Sequence, residues 1–163
     1  METKALELLA KAGIIITEEE IQKLEYADFG LNDFSNTGLT ILTYVNTEHV
    51  CAKELMMLPF QTCPEHCHPR IKEYIGKEET FRCRYGEVFL YVEGEETKDR
   101  AVRPPQGKYT VFKEIKLKAG SQYTLLPNTK HWFKAGKNGA VVSEFSTSSF
   151  DEYDIFTDKN IKR

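Results

Sequence analysis

Residues 2–12 interleave charge with apolar positions, and Ala5, Leu8, Leu9 and Ala12 recur at helical spacing before Gly13 stops the pattern. That predicts a short amphipathic helix. After the β-branched run Ile14-Ile15-Ile16, Thr17 followed by Glu18, Glu19 and Glu20 reads as an N-cap with carboxylates in the first turn. Ile21, Leu24 and Ala27 then supply the apolar stripe of a second helix, predicted to end near Gly30, with an exit loop through the polar residues 32–38. From Leu39 onward the texture changes to short β-rich runs: 40–45, 54–61, 80–85, 88–92, 110–117, 121–126, 131–135 and 140–145. Turn residues at 93–96, 118–121, 127–130 and 136–139 separate several of these runs, and a surface loop is predicted at 94–108. Eight or so short strands behind two helices predict a mainly β fold, a small antiparallel barrel or sandwich. The expected organisation is a single domain over 1–163, with a helical extension at 1–38 and the barrel and tail at 39–163.

Composition narrows the function classes. The chain has 163 residues, 40% of them hydrophobic, enough for one real core. Its 22 basic and 25 acidic residues leave a net charge of −3, too little positive field to recruit nucleic acid or an anionic membrane. The longest apolar runs, such as 88–92, fall far short of the roughly 20 residues a membrane span needs. Residues 1–12 lack the continuous apolar core of an export signal, so a cytoplasmic location is expected. Cys51, Cys63, Cys67 and Cys83 are accordingly expected as free thiols.

Three of the four histidines carry the candidate chemistry. Within Thr62-Cys63-Pro64-Glu65-His66-Cys67-His68-Pro69, an extended strand points His66 and His68 to one face, so two neutral imidazoles can meet one ion of Zn, Mn, Fe, Co or Ni. The bland alternative is a decorated, exposed strand. A zinc knuckle using Cys63 and Cys67 is disfavoured, because strand parity puts both on the face opposite the histidines and no second cysteine pair exists. Of the next carboxylates, Glu79 shares parity with Phe81, Cys83 and Tyr85, the more apolar face, whereas Glu78 aligns with Arg82 and Arg84; Glu79 is the inward candidate. His131, delivered by the turn 127–130 beside Trp132 and Phe133, either closes a three-histidine, one-carboxylate site or is a core histidine. His49 has no such company and reads as a surface residue.

The order His66-x-His68, Glu79, Gly86, then Gly120, Pro127 and His131 resembles the two motifs of the cupin superfamily. The gap from His68 to Glu79 is longer than the common pattern, and the second motif lacks the usual glycine between Pro127 and His131. The inserted segment through Gly76-Lys77-Glu78-Glu79-Thr80-Phe81, together with 125–133 and 141–156, looks like the bacterial D-lyxose isomerases within that superfamily. The likeness runs from about residue 59 to 163 and more loosely over the N-terminal helices.

This resemblance implies a cupin-type β-barrel (jelly roll), with His66, His68, Glu79 and His131 around one divalent metal ion. It also implies aldose–ketose isomerisation of D-lyxose and D-xylulose, extending to D-mannose, and a homodimer. Moving hydrogen between C1 and C2 needs a positioned base. Glu144, in the otherwise apolar run Ala140-Val141-Val142-Ser143-Glu144-Phe145, is the candidate, and Lys77 is its candidate helper at the mouth of the site. Tyr85, Trp132 and Phe133 read as sugar wall or core, and Asp154 as cap or packing of the tail. Manganese suits an oxygen-rich sugar complex, although the same ligands accept Zn, Co, Ni or Fe. Two other classes stay open: an iron-dependent cupin dioxygenase and a non-catalytic sugar-binding cupin.

Overall fold

A computed structural model describes all 163 residues. Two helices, α1 (Glu2–Lys11) and α2 (Glu18–Ile21), precede nine strands: β1 (Glu25–Ala27), β2 (Leu39–Asn46), β3 (Cys51–Met57), β4 (Thr62–Cys67), β5 (Glu79–Val92), β6 (Lys113–Lys118), β7 (Gln122–Leu125), β8 (His131–Ser146) and β9 (Ile155–Phe156). A 3-10 turn at Asp151–Tyr153 leads into β9. All strand pairings are antiparallel, and they form one curled sheet. The concave side encloses an 18-residue core. No helix is long and apolar enough to cross a membrane.

The helices lie outside the sheet. Ala5, Leu8 and Leu9 of α1 pack on Leu42, Met56 and Val141, which project from the convex face of β2, β3 and β8. At α2 the hydroxyl of Thr17 accepts from the Glu20 amide while the Glu20 carboxylate accepts from the Thr17 amide, a closed capping box. This helix stops at Ile21, not near Gly30 as its stripe predicts. Leu24 joins the α1 cluster outside the sheet, whereas Ala27 enters the core inside it, so the two cannot share a helical face. Glu25–Ala27 pairs with β2 instead.

Two long strands replace four predicted short ones. β5 and β8 pair along their whole lengths, from Glu79 opposite Ser146 to Val92 opposite His131. The predicted turn at 136–139 is a bent part of β8. Gly86 (φ +70°) and Gly139 (φ +74°) meet at the bend, where a Cβ on Gly86 would lie 2.0 Å from the Gly139 carbonyl oxygen. Only a residue without a side chain lets the two backbones approach so closely while holding positive φ. Past the bend β8 changes its other neighbour, pairing β4 through His131 and Phe133 and β3 through 140–146. A single strand therefore carries both His131, in the imidazole cluster, and Glu144, in the pocket beside it.

β4 carries one extra residue. Cys63 pairs with Phe133 and His66 with His131, so the bulge at Pro64-Glu65 puts Cys63 in phase with His66. This corrects the parity expectation that set Cys63 on the opposite face. Glu65 turns outward instead, and its carboxylate accepts from the Thr110 amide (2.6 Å), the Thr110 hydroxyl (2.6 Å), the Val111 amide (3.0 Å) and the Thr157 hydroxyl (2.5 Å). That one buried carboxylate fastens both the long loop before β6 and the tail to the strand that bears His66.

Candidate metal centre

His66, His68 and His131 are buried, and their candidate ligand nitrogens lie within 4.8 Å of one another. Each ring is held from its far side. His66 Nδ1 is 2.8 Å from the Pro64 carbonyl oxygen and His131 Nδ1 is 3.0 Å from that of Thr129. A carbonyl oxygen only accepts, so both Nδ1 atoms carry the proton and both Nε2 atoms present a lone pair. His68 Nδ1 donates to Asp154 Oδ1 at 2.5 Å. Such partners on the far nitrogen are what fix metal-binding imidazoles. His131 Nε2 is buried without a hydrogen-bond partner, lying 3.2 Å from Glu79 Oε1 but not aligned for a bond. A divalent ion at the point the three rings share would satisfy it. The donor set therefore fits a metal, with Glu79 Oε1, also 3.1 Å from His68 Nε2, as an anionic fourth group.

Electrostatics agree with this geometry. Burial, reinforced by the neighbouring imidazoles, lowers His66 well below its ordinary value, and burial lowers His131 to about 4, so both rings are neutral at pH 7. Burial also works against charge on His68, yet the Glu79 carboxylate, with Asp154 behind the ring, pushes it up to about 9. An ion bound to His68 Nε2 takes the place of that proton. Glu79 is buried as well, but Lys77 and His68 hold its carboxyl well below the usual range. Burial pushes the Cys63 thiol well up, and Cys63 lines the pocket outside the group of three imidazoles.

Lys77 is buried between two carboxylates, 2.9 Å from Glu79 Oε2 and 3.0 Å from Glu144 Oε1. The expectation of a lysine at an open mouth is corrected: the segment before β5 folds inward at Gly76 (φ +107°), where a Cβ would meet the His68 carbonyl oxygen at 2.7 Å. Glu78, between the two inward residues, is exposed. Glu144 accepts from Lys77 and, at 3.4 Å, from the Ser146 hydroxyl, both at Oε1, which leaves Oε2 for a further partner.

The structure thus brings His66, His68, Glu79, Lys77 and Glu144 to one pocket of about 400 Å³, counting the part open to solvent, with His131 packed behind it against His66 and Glu79. Asp154 joins them by orienting His68. His49 lies apart and exposed. Of the three aromatic wall candidates only Phe133 lines the pocket. Trp132 points to the opposite side, stacked on Tyr91 at 4.0 Å with its indole N–H on the Val111 carbonyl, and Tyr85 packs under α1. All four cysteines are free. Lys53, Asp151 and Arg163 also line the pocket and were missed in the sequence. For Lys53 the signal was present: Cys51, Lys53, Leu55 and Met57 alternate inward, but a strand taken to begin at residue 54 hides that period.

A curled antiparallel sheet with three imidazoles and a carboxylate gathered inside it defines a cupin-fold protein with a candidate metal centre. The solved structure of L-ribose isomerase from Cellulomonas parahominis shares the fold, with a TM-score of 0.73 at 18% identity over 98% of this chain and 90% of that one. The chain belongs to the D-lyxose isomerase family, whose model matches residues 17–163. It is 59% identical to the D-lyxose/D-mannose isomerase of Thermosediminibacter oceani, over 100% of this chain and 92% of that protein. It is 58% identical to the D-lyxose ketol-isomerase of a Thermofilum species, over 98% and 91% of the two chains.

Proposed function

We propose that this protein is a metal-dependent aldose–ketose isomerase that interconverts D-lyxose with D-xylulose and D-mannose with D-fructose. His66, His68, His131 and Glu79 hold the ion, and Glu144 is the base. The observation that carries this reading is the buried file from the imidazole cluster through Glu79 and Lys77 to Glu144, linked at 3.1, 2.9 and 3.0 Å. Family membership and the printed names of the two relatives supply the substrate class.

When bound by His66, His68, His131 and Glu79, a divalent ion would supply Lewis acidity next to the sugar's carbonyl. The chain's own groups do the rest. Glu144 Oε2 takes the proton from the carbon next to the carbonyl and returns it to the neighbouring carbon. Lys77, held well above its ordinary value by Glu144 and Glu79 despite its burial, stays an ammonium. It keeps Glu144 fixed at Oε1 and offers its third N–H to a sugar oxygen. The apolar lining, including Phe81 and Phe133, keeps water from the exposed carbanion centre.

The test is turnover of D-lyxose by purified protein with Mn²⁺, before and after chelation, in ordinary and heavy water. Ketose is expected only with metal, with solvent deuterium appearing at C2 of recovered aldose. Glu144→Gln is expected to lower kcat by at least about 100-fold, the low end for a lost general base. Ketose formation that survives metal stripping overturns the assignment, as does oxygen uptake in its place. Isomerisation without solvent exchange, unaffected by Glu144→Gln, removes the base.

A further inference from the structure

The charged wall of the pocket continues past the groups used above. Lys53, projecting inward from β3, is buried with Nζ 2.7 Å from Asp151 Oδ2 and 2.8 Å from Ser149 Oγ. Asp151 Oδ2 also accepts from Arg163 at 3.0 Å, Oδ1 accepts from Ser149 at 2.5 Å, and Lys77 Nζ stands off at 4.0 Å. Charge therefore alternates along the wall, from the imidazoles through Glu79, Lys77 and Asp151 to Lys53. The far half, Asp151 and Lys53, makes no contact with the imidazoles. Around Lys53 the pocket is lined by Glu144, its cross-strand partner on β8, and by the apolar Leu39 and Ile41 of β2 and Leu55 of β3.

A buried ammonium is costly to desolvate. Fastening the tail does not require it. Asn46 already holds Ser149 by a pair of bonds, Nδ2 to the Ser149 carbonyl (2.8 Å) and the Ser149 amide to Oδ1 (3.0 Å). The Ser148 hydroxyl donates to the Glu48 carbonyl (2.5 Å), and the Tyr74 hydroxyl to the Ser148 carbonyl (2.6 Å). Lys53 lines the pocket and has three N–H groups and two partners, so one donor remains. Asp151 Oδ1 accepts one bond and has a further lone pair. A hydroxyl group both donates and accepts, and a donor beside an acceptor with an aliphatic surface next to them matches a polyol.

We propose that Lys53, together with Asp151, is the subsite for the hydroxyl groups at the non-reacting end of the sugar, those beyond C3, and sets the preferred chain length. The assignment rests on the isomerase reading above. Lys53 bears on how the distal end is held, not on ion binding or proton transfer.

Native protein, Lys53→Met and Lys53→Arg, each loaded with Mn²⁺, are compared on D-lyxose, D-mannose and L-glyceraldehyde, the triose that shares their C2 configuration. Both variants are expected to lose about 10- to 100-fold in kcat/KM on the pentose and hexose, the range for a buried charged donor to a hydroxyl. The triose, which has nothing beyond C3, is expected to stay within about threefold of native, with Mn²⁺ affinity unchanged. Equal losses on triose and pentose overturn the proposal, as does an unaffected pentose. Should the Met variant fail to fold, the Arg variant, which keeps the charge but moves the donors, decides alone by the same criterion. Calorimetric binding of D-arabinitol against glycerol separates this from the isomerase reading. Native protein that turns over no aldose yet binds the pentitol through Lys53 loses the isomerase assignment and keeps the subsite. Pentitol binding insensitive to Lys53 rejects the subsite even where turnover stands.

Discussion

Replacing Lys77 by Met tests how strongly the buried charges depend on one another. The ammonium stands 2.9 Å from one glutamate and 3.0 Å from another, and all three side chains are at most 5% exposed. Met occupies a similar volume, so little packing is lost. What remains is two buried carboxylates without their shared cation, and breaking a buried pair from one side costs about 3–5 kcal/mol. For a chain of this length about 1 kcal/mol shifts the midpoint by about 2–4 °C, so chelated Lys77→Met is expected to melt about 6–20 °C below chelated native protein. The pH dependence follows from the signs. Burial opposes charge on Glu79, but Lys77 and His68 hold its carboxyl well below the usual range. Its contribution is therefore present above the unfolded value of about 4.3 and lost as pH falls through the folded one. Burial likewise opposes charge on Lys77, but the two glutamates hold it well above its ordinary value. Its contribution is full below about 10.4 and lost only as pH rises through the folded value. The gap between native and variant is thus expected to be widest and flat from about pH 5 to 9 and to narrow in acid. Urea or thermal unfolding in chelator across that range measures it. A loss below about 1 kcal/mol at pH 7 refutes the coupling, because an exposed pair would contribute that little.

Two further outcomes concern parts of the sheet away from the pocket. Glu54 is buried on the face it shares with Leu42, with Oε1 bonded to the Ser143 hydroxyl (2.7 Å), Oε2 without a partner, and its carboxyl pushed up by burial. A raised acid stabilises most below its unfolded value and loses that contribution as pH rises through the folded one. Glu54→Gln is therefore expected to be about 1 kcal/mol more stable than native protein at pH 8, with the difference fading towards pH 4; a variant less stable at pH 8 sinks this. Gly86→Ala is expected to cost more than about 2 kcal/mol in urea unfolding, since its Cβ would press on the Gly139 carbonyl oxygen at positive φ. A native midpoint would mean that the bend relaxes freely.

Much of the site was legible because side chains on strands that share one face follow a period of two. His66 and His68 follow it, and Glu79 is separated from Glu78 by parity alone. Glu144 stood out as a charge inside an apolar run. The same rule failed at Cys63, because the bulge at Pro64-Glu65 adds a residue that no local pattern announces. It failed again at 136–139, where two glycines read as a turn but serve to bend one long strand. Leu24 and Ala27 show a different limit: spacing of three is helical on paper, yet tertiary packing sends them to opposite sides of the sheet. Lys77 was placed at the mouth of the site, and Lys53 and Asp151 were passed over, because buried charge becomes visible only when its counter-charges, distant in sequence, are in place.

The bond between His68 and Asp154 joins residues 86 positions apart. During synthesis His66 and His68 leave the ribosome first, His66 with its Pro64 carbonyl partner already made and His68 still without Asp154. Glu79, His131 and finally Asp154 follow, and only with the last is the second ring turned and the pocket closed on that side. The candidate donor set is therefore completed only when the tail docks, and a chain cut before residue 154 would keep all three imidazoles yet leave the His68 ring free to turn.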